Sequence, residues 1–441
     1  MSPQIMTVLS FVGLIGGILM GMPVATVLMS IGVIIGFTTL GPISLDMMVR
    51  GVFAVMANDT LVALPLFVFM GCMLQSTGIA DRLFHNLRLA LGSLRGGLGI
   101  VTILISTILA ATTGIVGTAV IMMGVLALPK MIESKYSKPL ATGIICAGGT
   151  LGIIIPPSIM LILYGLSAGV SIVSLFAAAV VPGLLLAVLY MLYTAIVCYL
   201  RPELGPPCCE EEMAKINPAT FVSELLISLV PPLALILGVL GAIFFGVATP
   251  TEAAGIGALS TVVLCVAMRR FNWTALRDAA KQTVQVSCTI LWLMVCAQMF
   301  TSVFLGMGGG VVIKDWILAI AGGNPAVVLF IMMASIFLLG QIVCWTGILL
   351  ITVPIFTPIA ITMGWDPIWF GMLICVNLQM SFLSPPFAYA IFYLKQVAPP
   401  EVQLQHLYRG VWPFIALQGL GLLLVAFFPE LALWLPRLLL R

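Results

Sequence analysis

Two short stretches combine residues that break helices with groups that can bind ions. The first is Gly148-Gly149-Thr150-Leu151-Gly152-Ile153-Ile154-Ile155-Pro156-Pro157-Ser158. The second is Asn377-Leu378-Gln379-Met380-Ser381-Phe382-Leu383-Ser384-Pro385-Pro386. Each sits in an apolar segment long enough to enter a bilayer. Proline removes a backbone donor and clashes with the carbonyl four residues back. An unpaired backbone group in hydrocarbon costs several kcal/mol, so such a break persists only where it is buried in protein or lines a cavity. There the freed carbonyls can coordinate a cation and the freed amides can hold an anion. A kinked packing helix would account for one such proline, since Pro and Gly are common in membrane helices. It does not account for a second copy. Pro129 precedes Pro156 by 27 residues (156 − 129) and Pro358 precedes Pro385 by 27 (385 − 358). The aromatic residues between them, Tyr136 and Trp365, share the 229-residue offset of the two Pro-Pro pairs. Paired, interrupted apolar segments at matching positions of two halves point to the binding site of a secondary transporter.

The elements that must position these breaks are membrane helices. Hydrophobic residues make up 62% of the 441 and charged ones only 7%, against roughly 25% charged in soluble domains. The fold class is an all-α polytopic membrane protein, with room for ten or more spans of about 20 residues each. The net charge of +3 says nothing about nucleic acid. There is no basic patch with interleaved aromatics and no soluble domain to hold one, so no nucleic-acid partner is expected and the lipid bilayer forms the surroundings. The first 22 residues lack Lys and Arg, so they read as a retained helix rather than a signal peptide. Most cysteines fall in apolar runs, Cys208-Cys209 falls in the one long polar loop, and His85 and His406 are the only histidines. No transition-metal spacing results.

Charge places the segments. Segment 98–128 is about 30 residues long, with Thr112, Thr113, Gly114, Gly117 and Thr118 in its middle. Arg82, Arg88 and Arg95 precede it and Lys130, Lys135 and Lys138 follow it. Basic loops stay inside, so it should enter and leave on one side as a re-entrant hairpin. Segment 326–361 reads as a second hairpin, opening from outside, with a polar tip from Gly340 to Gly347. The chain then divides into N-terminal helices and an interfacial arm (1–60), a first repeat (61–200, hairpin 98–128, broken helix 140–165), a linker (201–220), scaffold helices (221–283) and a second repeat (284–441, hairpin 326–361, broken helix 370–393). The two repeats have opposite orientation, an inverted-topology arrangement. Arg437 and Arg441 fall on the outer side of this map.

Several stretches in collinear order resemble the large membrane subunit of the tripartite ATP-independent periplasmic (TRAP) transporters. They are Ala111-Thr112-Thr113-Gly114-Ile115-Val116-Gly117, Lys138-Pro139-Leu140-Ala141-Thr142-Gly143, Gly152 to Ser158, Thr249-Pro250-Thr251-Glu252-Ala253-Ala254, and Phe370-Gly371 through Asn377-Leu378-Gln379 to Pro385-Pro386. The resemblance covers nearly the whole chain and is similar to the branch labelled for mannitol or chloroaromatic compounds. It implies a multi-pass protein of the bacterial inner membrane that works as a sodium-driven elevator. Its partners would be a small four-helix membrane subunit and a periplasmic binding protein that delivers an organic acid. Well-known members carry Ser-Gly-Ser at the first hairpin tip. Here the tip reads Thr113-Gly114-Ile115, without the last hydroxyl.

On that resemblance the coupling ions are sodium, no other cofactor is needed, and the ligands are hard oxygens. Thr112, Thr113, Gly149, Gly152 and Pro156 would frame one sodium site. Gly340, Thr346, Ser381, Ser384 and Pro385 would frame its mirror. Gly114, Ser158, Asn377 and Trp345 would face the acid, and half-helix N-termini would supply positive potential because no Lys or Arg lies in either hairpin or break. Glu252 reads as a helix-capping carboxylate or, within the membrane, as a coupling group. A stand-alone sodium/dicarboxylate elevator without a binding protein is the competing reading. An embedded enzyme would need a nucleophile–base pair or a metal set, and neither is visible.

Overall fold

Glycine and proline punctuate the chain closely enough to fix most helix ends. The computed structural model describes residues 2–207, 218–386 and 388–439, with side chains at all of these except Thr113 and 218–222. The predicted linker 201–220 is therefore described only at its ends, and Cys208 and Cys209 lie outside the described residues.

The first half comprises α1 (Pro3–Leu19), α2 (Val24–Leu40), α3 (Ile43–Met56), α4 (Ala63–Ser76), α5 (Ile79–Leu91), α6 (Gly97–Thr113), α7 (Val116–Glu133), α8 (Lys138–Thr150), α9 (Ile159–Ala168) and α10 (Ile172–Leu200). The second comprises α11 (Pro218–Phe244), α12 (Pro250–Ala267), α13 (Trp273–Gly306), α14 (Gly309–Ala321), α15 (Pro325–Leu339), α16 (Trp345–Thr362), α17 (Pro367–Ser381), α18 (Tyr389–Val397) and α19 (Leu404–Phe427), followed by α20 (Glu430–Leu439). Among the described residues eight helices are long and apolar enough to cross a membrane.

The 229-residue offset runs through these elements. Adding 229 to both ends of α7 gives both ends of α16, and adding it to the start of α8 gives the start of α17. Packing is reciprocal as well. α7 packs on α18 while α16 packs on α9; α8 packs on α19 while α17 packs on α10; α12 packs on α4 while α13 packs on α2. One pair departs from the pattern. The counterpart of α13 is split into α3 and α4 by residues 57–62, where the Asn58 side chain accepts from the Thr60 amide. α13 has no Gly or Pro between Trp273 and Leu305, so nothing interrupts it.

Several boundaries differ from the sequence expectation. The span expected from 284 begins at Trp273, capped by the Asn272 side chain on the Thr274 amide. Its charged first turns had the composition of a loop, yet charge does not stop a helix that lacks a breaker. The 283/284 division therefore falls inside one helix. The basic stretch around Arg82 and His85 is likewise helical. α5 buries Ile79, Leu83, Phe84 and Leu87 at helical spacing and leaves Arg82 and His85 exposed. α14 and α20 are further short helices outside the expected spans. The expected interfacial arm is α3, carrying an exposed Asp46–Arg50 pair one turn apart. Glu252 completes a capping box: its carboxylate accepts from the Thr249 amide at 2.8 Å, and the Thr249 hydroxyl accepts from the Glu252 amide.

Candidate functional site

Both Pro-Pro segments interrupt their helices. α8 stops at Thr150, a single tight turn covers Leu151–Ile153, and the chain stays unwound to Ser158 before α9 starts. α17 stops at Ser381 and α18 starts at Tyr389. The Pro156-Pro157 and Pro385-Pro386 peptide bonds are both cis.

Each break meets a hairpin tip. α6 and α7 run antiparallel, since Thr102 near the start of one lies 4.0 Å from the Met131 sulfur near the end of the other. Their turn is Gly114-Ile115, with Gly114 at φ 60°, a conformation that suits glycine. A side chain at Gly114 would lie 3.2 Å from the Pro157 carbonyl oxygen, so this tip seats on the first break. Just behind it Gly149 abuts Val120: a Cβ there would overlap the valine side chain and approach its backbone nitrogen to 3.1 Å. At the second junction a Cβ on Gly340 would overlap the Ser381 side chain. Gly340 therefore fits only as glycine while Ser381 holds its place.

The oxygens at the two junctions differ. At the first, Thr112 is buried and donates to the Leu109 carbonyl at 2.7 Å; the Thr113 side chain lies outside the described residues. Gly152 has Ala110 as its nearest neighbour, with room for a methyl group. At the second, the Ser381 hydroxyl and the Gln341 side-chain oxygen are buried and have no hydrogen-bond partner among the described residues. Ser384 donates to Met380 O at 2.8 Å, and Thr346 lies 3.4 Å from the Cys344 sulfur. Gln341 lies in the polar tip expected from the sequence but outside the expected ion sites; it stands 229 residues after Thr112, and that offset could have assigned it.

The tips border a half-open cavity of about 380 Å³. Gly114–Gly117 enter it from the first tip and Trp345 and Thr346 from the second; Ile153, Ile159 and Phe382 come from the breaks. Tyr393 and the α13 residues Gln285, Val286, Thr289 and Ile290 complete the wall. The N-termini of α7 and α16 both open here, each an 18-residue helix with unpaired first-turn amides. Among the described residues no Lys, Arg, His, Asp or Glu lines it, which leaves those helix ends as the source of any positive potential there. The rings of Trp345 and Phe382 meet at a tilt of 38°, with centroids 6.4 Å apart. A larger cavity of about 640 Å³ lies further along α13, beside Gln298 and Thr301, and contains none of the predicted site residues.

Two residues expected to face the acid do not line the cavity. Ser158 is buried and donates to the Ile153 carbonyl, which closes the break on itself. Asn377 donates to the Met333 carbonyl at 2.7 Å and ties α17 to α15. Residue type could not reveal the side on which these polar groups would emerge. The wall from α13 was missed for a different reason: Gln285 and Thr289 sit in a helix with neither break nor motif. Behind the breaks lies a fully buried polar cluster. Gln379 and Gln418 both donate to the Thr150 hydroxyl, at 3.1 and 3.3 Å, and Thr150 donates to the Ala147 carbonyl.

Two paired repeats, each placing a hairpin tip on a broken helix around a shared cavity, define a polytopic α-helical membrane transporter. The profile of the tripartite ATP-independent periplasmic transporter, DctM component, matches residues 11–431, and the chain belongs to this family. The sialic acid TRAP transporter large permease protein SiaM of Vibrio cholerae is 30% identical over 383 residues, 86% of this chain and 87% of that protein. The C4-dicarboxylate TRAP transporter large permease protein DctM of Pseudomonas aeruginosa is 30% identical over 388 residues, 87% and 88% of the two chains. Among solved structures, the Alcanivorax borkumensis YdaH transporter shares the fold, with a TM-score of 0.61 at 16% identity over 90% of this chain and 89% of that one. The protein is a multi-pass component of the inner membrane.

Proposed function

We propose that this permease carries an organic acid inward, driven by sodium, with one cation at each junction of hairpin tip and break. The observation that carries this reading is the cavity itself. Two helix N-termini and two interrupted helices converge on it without any basic side chain. A carboxylate would be held by first-turn amides, and sodium by carbonyls of the unwound segments. At the second junction the unpartnered oxygens of Ser381 and Gln341 would join them.

The paired repeats, with their reciprocal packing, support an elevator in which the two hairpins and two broken helices move together past the remaining helices. Family membership supports the two partners expected from the sequence, a small four-helix membrane subunit and a periplasmic binding protein that selects the acid. It weighs against a stand-alone sodium/dicarboxylate carrier.

The test is uptake into proteoliposomes holding the complete membrane complex with its binding protein and the acid that protein delivers. Uptake should follow an imposed sodium gradient and fall to background when either partner is left out. Uptake that tracks a proton gradient instead would exclude sodium as the coupling ion. Strong uptake by this chain alone would establish the stand-alone carrier.

A further inference from the structure

One wall of the cavity belongs to neither hairpin nor break. It is the stretch of α13 from Gln285 to Ile290, on a helix that packs chiefly on α2, α3 and α4 and also meets α16 of the second hairpin and α14. Gln285 and Thr289 stand one turn apart and are exposed on this wall. The Thr289 hydroxyl is engaged, donating to the Gln285 carbonyl at 2.7 Å. The Gln285 carboxamide makes no hydrogen bond among the described residues, so it offers both a donor and an acceptor to whatever occupies the cavity.

The rest of the lining narrows what that occupant can be. Besides the two helix ends, the walls are aliphatic or aromatic, with Thr346 and Tyr393 the other polar side chains. A carboxylate at the helix N-termini has its charge partly balanced. A second carboxylate held against the α13 wall would face uncharged groups, and an ionised group desolvated without a partner is costly. A neutral hydroxyl or carbonyl there would instead find a carboxamide, which can both give and accept a hydrogen bond.

We infer that Gln285 is a selectivity-setting residue that contacts the end of the substrate remote from its carboxylate. The substrate class is then a monoanion whose far end carries a neutral hydrogen-bonding group. This rests on the reading above, in which the carboxylate docks at the helix ends. It also means that the substrate is read partly by a helix outside the hairpins and breaks.

The probes are 4-hydroxybutyrate and succinate, which share a four-carbon chain and differ at the far end. Binding is measured by calorimetry on the purified membrane complex in saturating sodium. Wild type should bind 4-hydroxybutyrate more tightly. Gln285→Lys should reverse the order, with a gain for succinate of about tenfold, because it adds an opposite charge beside the second carboxylate. Gln285→Glu should weaken both acids, succinate more. Gln298→Lys, in the other cavity on the same helix, should leave the order unchanged. A role in packing alone would not follow the sign of the charge. An order that ignores the charge at 285, or a wild type that prefers succinate, overturns the inference and leaves sodium-driven acid transport standing. Absence of saturable, sodium-dependent binding of either acid overturns it as well. Loss of sodium dependence in the uptake assay is a separate result and would sink the transport reading itself.

Discussion

Ser381 is the residue at which an ion at the second junction, as proposed above, can be tested. A buried hydroxyl without a partner destabilises the fold, so replacing it with a methyl group would be neutral or stabilising if nothing bound there. As a cation ligand it behaves differently. Ser381→Ala should raise the sodium concentration for half-maximal uptake by roughly three- to tenfold, equivalent to about 1 kcal/mol, while the thermal midpoint without sodium holds or rises. An unchanged sodium dependence in an active Ser381→Ala complex would remove the hydroxyl from the site. The glycines make a second contrast. Gly149→Ala must displace Val120 and its backbone, and overpacking of this kind costs typically 1–3 kcal/mol. Gly152→Ala meets only ordinary contact with Ala110 at 3.5 Å and should change stability by less than about 1 kcal/mol. Thermal unfolding of the two variants in one detergent measures the difference. Equal destabilisation would contradict the packing described here.

The hairpin formed by α6 and α7 is the element on which the orientation of the chain turns. Because it doubles back at Gly114, the residues before α6 and after α7 should share one face of the membrane. Single cysteines at Arg82 and Lys135, in a cysteine-free background, should both resist an impermeant reagent applied from outside the cell and react after permeabilisation. Opposite accessibility would turn the hairpin into two independent crossings. The breaks and tips were legible in the sequence because proline and glycine act locally, through a missing donor or a permitted φ. The amphipathic helix α5 and the first turns of α13 were not, because their charges looked like loop composition when each was the solvated side of a helix. The cavity was legible only in part. Gly114 and Trp345 lie in punctuated segments, whereas Gln285 and Tyr393 reach it through packing between distant elements, which leaves no local trace. Ser158 and Asn377 had the right chemistry and the wrong direction, and direction is set by the turn of an unwound segment that spacing does not specify.

At the level of the whole chain, reciprocal packing makes each half incomplete without the other. α7 is covered by α18 and α8 by α19, so half of the hairpin–break unit depends on surfaces contributed by the opposite repeat. Two separate polypeptides, 1–207 and 208–441, should co-purify when produced together and bind sodium as a pair. Either one produced alone should be lost to proteolysis, because apolar faces that pack on protein in the complete chain would stay uncovered. Co-purification on an affinity tag carried by one half is the measurement, and a stable, monodisperse single half would contradict the interdependence.

Thr150 and Gln379 are 229 residues apart, the offset that carries one half onto the other. Each is the other's counterpart, and they touch. A residue can meet its own counterpart only on the axis of rotation, so this buried hydrogen bond marks where the pseudo-two-fold passes through the molecule. In a symmetric pair of identical chains the same position would face itself, and threonine would have to meet threonine or glutamine meet glutamine. Joining the halves in one polypeptide lifts that constraint. A hydroxyl can then sit opposite a carboxamide, and the midline of the protein carries a bond that no assembly of two identical halves could form.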